Sequence, residues 1–168
     1  MALRLDDTVT AAFREQLGRK PRVLVVDDDV HNVRPYATLL HRLGYQVLMQ
    51  TCTHRAANVV LRGTFTPDII VSDLQNADEA PHYRGCGDSI GGLTLYQRLE
   101  EAGKLPTLYI GMSGLQQQDI PPGFLAVCDT VLQKPVDFRS FASQVTTRYQ
   151  GKLNPAYADG ASAEYLSK

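Results

Sequence analysis

The fold is decided by residues 23–29, VLVVDDD, in which an apolar run ends in three consecutive acids. Continuous apolar runs of this length are typical of strands buried on both faces of a parallel sheet. A second run, PDIIVSD at 67–73, also ends in an acid. If the two runs are neighbouring parallel strands, Asp27, Asp28 and Asp73 share the crevice outside the strands' carboxyl ends, where open α/β sheets hold their ligands.

Strand-like and helix-like segments alternate along the rest of the chain. The predicted strands are 22–27, 45–51, 68–73, 107–112 and 129–133, and the predicted helices between and after them are 32–43, 54–62, 92–102, 115–127 and 137–149. The helix at 115–127 is expected to be short or distorted because Pro121-Pro122 interrupts it. This alternation predicts an α/β fold with a doubly wound, five-stranded parallel sheet and helices on both faces.

Pro35 limits where the first helix of this alternation can begin. Proline is tolerated in the first turn of a helix and is costly further in. We therefore expect the helix to start near Asn32, with Asp29, Val30 and His31 in the preceding loop. Gly44 is expected to end it, since glycine is favoured just past a helix terminus.

The 168 residues fit one domain with short extensions. An N-terminal helical extension is predicted over residues 1–20, with a helix at 6–19 that carries Phe13 and Leu17 on one face. The core domain spans 21–150. The last segment, 151–168, is small, polar and aperiodic, which predicts a flexible tail.

Composition excludes several classes of function. The net charge of -1 gives no sign of direct nucleic-acid binding. No apolar run approaches the ~20 residues that cross a membrane, and no secretory signal is visible, so a cytoplasmic location is expected. The three cysteines, an odd number without a CxxC pair, predict reduced thiols. A zinc site from His82, Cys86 and Asp88 is disfavoured, because zinc normally takes four ligands at recognisable spacings.

Two further polar residues follow the last two predicted strands, namely Ser113 after TLYIGM and Lys134 after TVLQ. Crowded carboxylates repel, and Mg²⁺ is suited to neutralise them because it prefers oxygen ligands and keeps several waters. Asp28 and Asp73 would be direct ligands, with Asp27 acting through water. A carboxylate can also attack phosphorus, and the ammonium and hydroxyl are suited to stabilise a transferring phosphoryl group. Gly114 leaves room for a main-chain N–H to approach the same phosphoryl oxygens.

These stretches resemble the receiver domain of bacterial two-component response regulators, in particular a stand-alone, chemotaxis-regulator-like receiver. The resemblance covers about residues 21–149 and rests on VLVVDDD, PDIIVSDL at 67–74, GLTLYQRLE at 92–100, GMSG at 111–114 and QKP at 133–135. It implies a flavodoxin-like strand order of 2-1-3-4-5. Strands one and three of that order flank the topological switch point, where a ligand is expected.

The resemblance also implies a role for each polar residue. Asp73 would be the phospho-acceptor, Ser113 the switch hydroxyl and Lys134 the partner of the phosphoryl group. The implied magnesium ligands are the carboxylates of Asp27, Asp28 and Asp73 and the main-chain carbonyl of Gln75. A sensor histidine kinase or phosphotransfer protein would supply the phosphoryl group, and a downstream protein target would read the altered surface. Such a protein catalyses only its own phosphorylation and dephosphorylation, and a homodimer is left open.

Three departures from the family pattern affect these expectations. An insertion at about 75–91 replaces a short loop at the rim of the site, where it is expected to act as a lid, to add acids or to decorate the surface. Val131 stands where many family members carry an aromatic. No effector domain follows the receiver, which predicts a stand-alone module.

Two other functions compete with phosphorelay signalling. A degenerate receiver would act as a phosphorylation-independent adaptor; the insertion favours this reading, and the intact set of polar residues argues against it. A haloacid-dehalogenase-type phosphohydrolase would use the DxD pattern at Asp27 and Asp29. That reading needs a further acidic motif after Lys134 and gives Asp73 no role.

Overall fold

The computed structural model describes residues 6–75 and 91–155 and contains a five-stranded parallel sheet of order β2-β1-β3-β4-β5. The strands are β1 Arg22–Val26, β2 Gln46–Gln50, β3 Ile69–Asp73, β4 Leu108–Ser113 and β5 Thr130–Gln133. The helices are α1 Asp6–Leu17, α2 Val30–Arg42, α3 Thr53–Leu61, α4 Gly91–Glu101, α5 Pro122–Val127 and α6 Phe138–Leu153. The predicted doubly wound fold with an extra N-terminal helix is confirmed.

Helices cover both faces of the sheet, which explains why β1, β3 and β4 are apolar throughout. On one face, Val33 of α2 and Phe141 of α6 pack against Val25 and Ile110. On the other face, α3 and α4 pack against strand residues such as Leu24. Residues of the central strands therefore alternate between two separate apolar clusters, one on each face of the sheet.

The helix α1 is part of the core and not a loose extension. Phe13 is almost fully buried, with its ring centroid 5.9 Å from that of Tyr45 and 5.3 Å from that of Tyr149. After α1, the Arg19 guanidinium makes two hydrogen bonds of 2.7 and 2.8 Å to the Asp68 carboxylate. These contacts close the amino-terminal edge of the sheet, opposite the edge that carries the polar residues.

The predicted start of α2 was wrong by two residues. The helix begins at Val30, and Asp29 caps it by accepting a 2.8 Å hydrogen bond from the His31 amide. Pro35 consequently lies inside the helix, where it cannot donate the usual bond to the carbonyl of His31. Because that part of the helix is exposed, water can take over the carbonyl, and the aspartate cap offsets part of the cost. Gly44 follows the end of α2 with φ of 88°, as glycine at that position predicts.

The predicted helix after β4 is short and interrupted, as expected from Pro121 and Pro122. A single 3-10 turn at Gln117–Asp119 precedes α5, which has only 6 residues. Phe124 of α5 is fully buried against the sheet edge. A Cβ atom at Gly111 of β4 would lie 2.5 Å from two atoms of the Phe124 ring, so glycine at 111 makes the space that this ring occupies.

The last helix continues beyond its predicted end at residue 149 and stops at Leu153, because Tyr149 keeps the final turns packed on the core. The rest of the predicted tail, from residue 156, lies outside the described residues, as do residues 76–90 of the predicted insertion. Within the described parts of the chain, no helix is long and apolar enough to cross a membrane. Among the described residues, Cys52 and Cys128 form no disulfide.

Gly111→Ala is expected to destabilise the protein by about 1–3 kcal/mol, because the added methyl group overpacks the contact with Phe124. Urea unfolding followed by circular dichroism measures the change. Gly123→Ala is the matched control, since its Cβ atom would lie 3.5 Å from Leu93 in an ordinary contact. Equal unfolding midpoints for the two variants would show that Phe124 is not held against Gly111.

Candidate functional site

Three carboxylates meet where β1 and β3 end. Asp27 and Asp28 directly follow β1, and Asp73 is the last residue of β3, its immediate neighbour in the sheet. One oxygen from each carboxylate can be chosen so that all lie within 4.8 Å of one another. Asp27 and Asp73 are buried and Asp28 is half-buried. The predicted convergence of these three side chains is what the structure shows.

Lys134 enters the same cluster from the end of β5. Its Nζ lies 2.7 Å from Oδ2 of Asp27 and 3.1 Å from Oδ1 of Asp73. The other oxygen of Asp27 accepts a 2.9 Å hydrogen bond from the Asp29 amide. Both oxygens of Asp27 therefore accept hydrogen bonds from the protein, and Lys134 links Asp27 to Asp73.

Burial dominates the protonation of Asp73. Desolvation raises the pKa of its carboxyl from 3.8 to about 6, and the charges of Asp27 and Asp28 push it in the same direction. The Lys134 ammonium acts against this rise without cancelling it. Conversely, its hydrogen bond to Asp27 and the charge of Asp73 raise the pKa of Lys134 despite partial burial. An added positive charge beside Asp73 would therefore favour its ionised form.

The cluster suits a hard divalent cation. All its side-chain donors are carboxylate oxygens, and Mg²⁺ is typically held by one or two carboxylates together with water and phosphate oxygens. A cation there would also relieve the unfavourable ionisation of Asp73. The donor set therefore fits the expected Mg²⁺.

Ser113 ends β4, next to β3 in the sheet, and is fully buried. Its hydroxyl oxygen accepts a 3.0 Å hydrogen bond from the Leu115 amide, which leaves its own hydrogen available for donation. A Cβ atom at Gly114 would meet nothing within 4 Å, so the backbone beside Ser113 borders open space. Gln75 is exposed two residues after Asp73.

The surface beside Lys134 is concave between α2 and α6. A cleft of about 390 Å³ is lined by residues that include Asn32 and Tyr36 of α2, Phe138 of α6 and Lys134 itself. Of the residues that follow the strands, Lys134 lines this cleft. The alternative zinc residues His82, Cys86 and Asp88 lie outside the described part of the chain.

Sequence reasoning did not identify the residues behind Asp73. The Ser72 hydroxyl donates a 3.1 Å hydrogen bond to the Asp73 main-chain carbonyl, and the buried Tyr109 hydroxyl donates one of 2.7 Å to the Gly92 carbonyl. In the sequence, Ser72 and Tyr109 are ordinary strand residues, and no spacing distinguishes them. Asp29 carried a clearer signal, since an aspartate just before a helix is a preferred cap.

Several solved structures with the same fold are receiver domains. A CheY-like response regulator receiver domain from Methanospirillum hungatei JF-1 matches 79% of this chain and 96% of its own, at 17% identity and a TM-score of 0.63. A response regulator receiver from Bermanella marisrubri matches 76% and 96%, at 23% identity and a TM-score of 0.60. One from Methylobacillus flagellatus matches 75% and 96%, at 22% identity and a TM-score of 0.56.

No protein-family model matches the chain, and no curated protein matches its sequence significantly. The structural similarity therefore establishes the receiver fold, as the resemblance implied.

The ionisation of Asp73 predicts how stability depends on pH. Because the pKa of its carboxyl is about 6 in the folded protein and near 3.8 ordinarily, the folded state binds more protons between these values. The free energy of unfolding in metal-free buffer should therefore fall as pH rises from about 4 to 6 and stay lower above that range. Asp73→Asn should remove this fall and stabilise the protein at pH 7 by roughly 1–3 kcal/mol.

Urea unfolding in EDTA across this pH range tests the expectation. Asp119→Asn, which changes an exposed aspartate in the same way, is the control. The assignment would be wrong if Asp73→Asn and the control had the same pH profile.

Proposed function

We propose that this protein is a phosphorelay receiver that accepts a phosphoryl group on Asp73 with Mg²⁺ and signals through altered protein contacts. The observation that carries the proposal is the position of Asp73, within 4.8 Å of Asp27 and Asp28 and 3.1 Å from the Lys134 ammonium. This arrangement stands at the carboxyl edge of a receiver fold, where ligands of open α/β sheets bind.

The residues divide the chemistry of phosphoryl transfer among them. An Asp73 carboxylate oxygen forms the new bond to phosphorus, while the bond from phosphorus to a donor histidine nitrogen breaks and the imidazole takes up a proton. Mg²⁺, held by Asp28 and Asp73 with the Gln75 carbonyl and with Asp27 through water, would neutralise charge on the moving group. The Lys134 ammonium would stabilise the same negative charge on the phosphoryl group.

The new charge on Asp73 also supplies the signal. A phosphoryl group adds nearly two negative charges at neutral pH and strong hydrogen-bond acceptors. Ser113 can donate its hydroxyl hydrogen to these oxygens, and the Gly114 amide borders the same open space. Movement of Ser113 would pull on Leu115, which packs in the apolar cluster around Phe124 of α5. The surface of α5 and β5 would change in consequence.

This proposal implies two protein partners. A sensor histidine kinase or phosphotransfer protein donates the phosphoryl group, and a downstream protein target binds the altered surface. The chain would catalyse only its own phosphorylation and dephosphorylation. The dehalogenase-type alternative is less well supported, because it gives no role to Asp73, whose carboxylate lies in the cluster, whereas Asp29 serves as a helix cap.

Incubation with Mg²⁺ and acetyl phosphate should add the mass of one phosphoryl group, and Asp73→Asn should abolish the addition. Mass spectrometry of the intact protein and of its peptides gives the readout. Asp29→Asn is the matched control, since asparagine caps helices as well as aspartate does, and its labelling should equal that of the wild type. Modification at Asp27 would favour the hydrolase, and no modification at all would favour the adaptor.

The lifetime of the phosphoryl group should depend on the residues that flank it. Gln75 is exposed and offers an amide that can orient water, whereas Leu115 is half-buried and restricts access. Leu115→Ala is therefore expected to speed dephosphorylation and Gln75→Ala to slow it, each by a factor of about 2–10. Decay of labelled protein after removal of acetyl phosphate measures both rates, and unchanged decay in both variants would refute the assignment.

A further inference from the structure

The main chain on either side of Asp73 is fixed by three residues that take no part in the chemistry above. We call Ser72, Gly92 and Tyr109 the Asp73 clamp. Ser72 immediately precedes Asp73 on β3, Gly92 lies in the first turn of α4, and Tyr109 lies on β4. All three are buried, so their hydrogen bonds do not exchange with bulk water.

The first turn of α4 lies directly against the Asp73 peptide. A Cβ atom at Gly92 would lie 2.6 Å from the Asp73 carbonyl oxygen, closer than any side chain allows. The Gly92 amide donates a 3.3 Å hydrogen bond to the carbonyl of Leu74. This contact is therefore possible only with glycine at position 92. The contact sets the direction in which the main chain continues after Asp73.

Tyr109 holds the helix in this position. Its hydroxyl donates the 2.7 Å hydrogen bond to the Gly92 carbonyl. The tyrosine is itself fixed, because its amide donates a 2.8 Å bond to Asp129 and its ring meets that of Tyr96 edge-on at 5.2 Å. One hydroxyl thus joins α4 to β4 behind the Asp73 carbonyl.

The clamp lies where the chain returns from the 76–90 segment. Residue 75 precedes that segment and α4 begins at Gly91 immediately after it.

We propose that Tyr109 is a positioning residue for the metal site. Its hydroxyl holds Gly92 against the Asp73 peptide and so fixes the Asp73 carboxylate and the Gln75 carbonyl in the orientation that binds Mg²⁺. The inference about Mg²⁺ rests on the proposed function, whereas the mechanical part, that the hydroxyl of Tyr109 anchors the first turn of α4, does not.

The test is Tyr109→Phe, which keeps the ring and its contact with Tyr96 and removes only the hydroxyl. Mg²⁺ affinity, measured by calorimetry on the full chain, should fall about threefold to tenfold, since residues behind metal ligands tune affinity. In metal-free protein, the Gly92 amide should exchange with solvent about tenfold faster, because its anchor is lost. Ser72→Ala should change both measurements in the same direction.

Tyr45→Phe is the matched control. Tyr45 is buried just before β2, and its hydroxyl oxygen lies 3.1 Å from Oγ1 of Thr146. The substitution therefore removes a different buried tyrosine hydroxyl, away from Asp73. A general loss of stability would affect both variants alike, whereas a positioning role predicts lower Mg²⁺ affinity and faster Gly92 exchange only in Tyr109→Phe. Thermal unfolding of each variant confirms that the comparison is made on folded protein.

The outcomes separate the two proposals. If wild-type protein neither binds Mg²⁺ nor becomes labelled, the proposed function fails, and the exchange of Gly92 still decides whether the clamp exists. If the wild type binds Mg²⁺ and both Tyr109→Phe and Ser72→Ala bind it equally well, the positioning role is refuted. Unchanged Gly92 exchange in Tyr109→Phe would refute the anchoring of α4.

Discussion

The repulsion among three carboxylates at the ends of two adjacent strands is the constraint on which the rest of the site depends. An isolated cluster of this kind would protonate or spread apart. Here, the register of β1 with β3 holds Asp27 and Asp73 together. The energy of the apolar core maintains that register, because a slip by one residue would turn every buried strand side chain to the opposite face. Lys134 relieves only part of the repulsion, and the remainder makes the site receptive to a cation.

Much of this arrangement could be predicted from local sequence. VLVV and IIVS are recognisable as buried strands. In a parallel sheet the residues that follow the strands all lie at the edge formed by the strands' carboxyl ends. The convergence of Asp27, Asp28, Asp73 and Lys134 follows from that topology without any knowledge of side-chain contacts. Gly44 and the Pro121-Pro122 pair were equally informative, since each restricts the backbone by itself.

The features that sequence reasoning did not reach depend on competition or on tertiary contact. The start of α2 is set by a balance between the capping energy of Asp29 and the penalty at Pro35, and the sequence does not reveal which is larger. The end of α6 depends on the burial of Tyr149. From the sequence alone, a tyrosine at this position could lie either on the exposed face of the helix or in the core. The hydrogen bond between Tyr109 and Gly92 joins residues 17 apart with no local pattern.

Because Phe13 is buried between two tyrosine rings, α1 belongs to the same folding unit as the sheet. Cutting at residue 21, where the resemblance to receivers begins, would open a hole beside Tyr45 and Tyr149. Emptying such an aromatic socket costs about 3–5 kcal/mol, which is a large part of the stability of an ordinary domain. In gene fusions or domain exchanges, the first helix must therefore travel with the sheet that it covers.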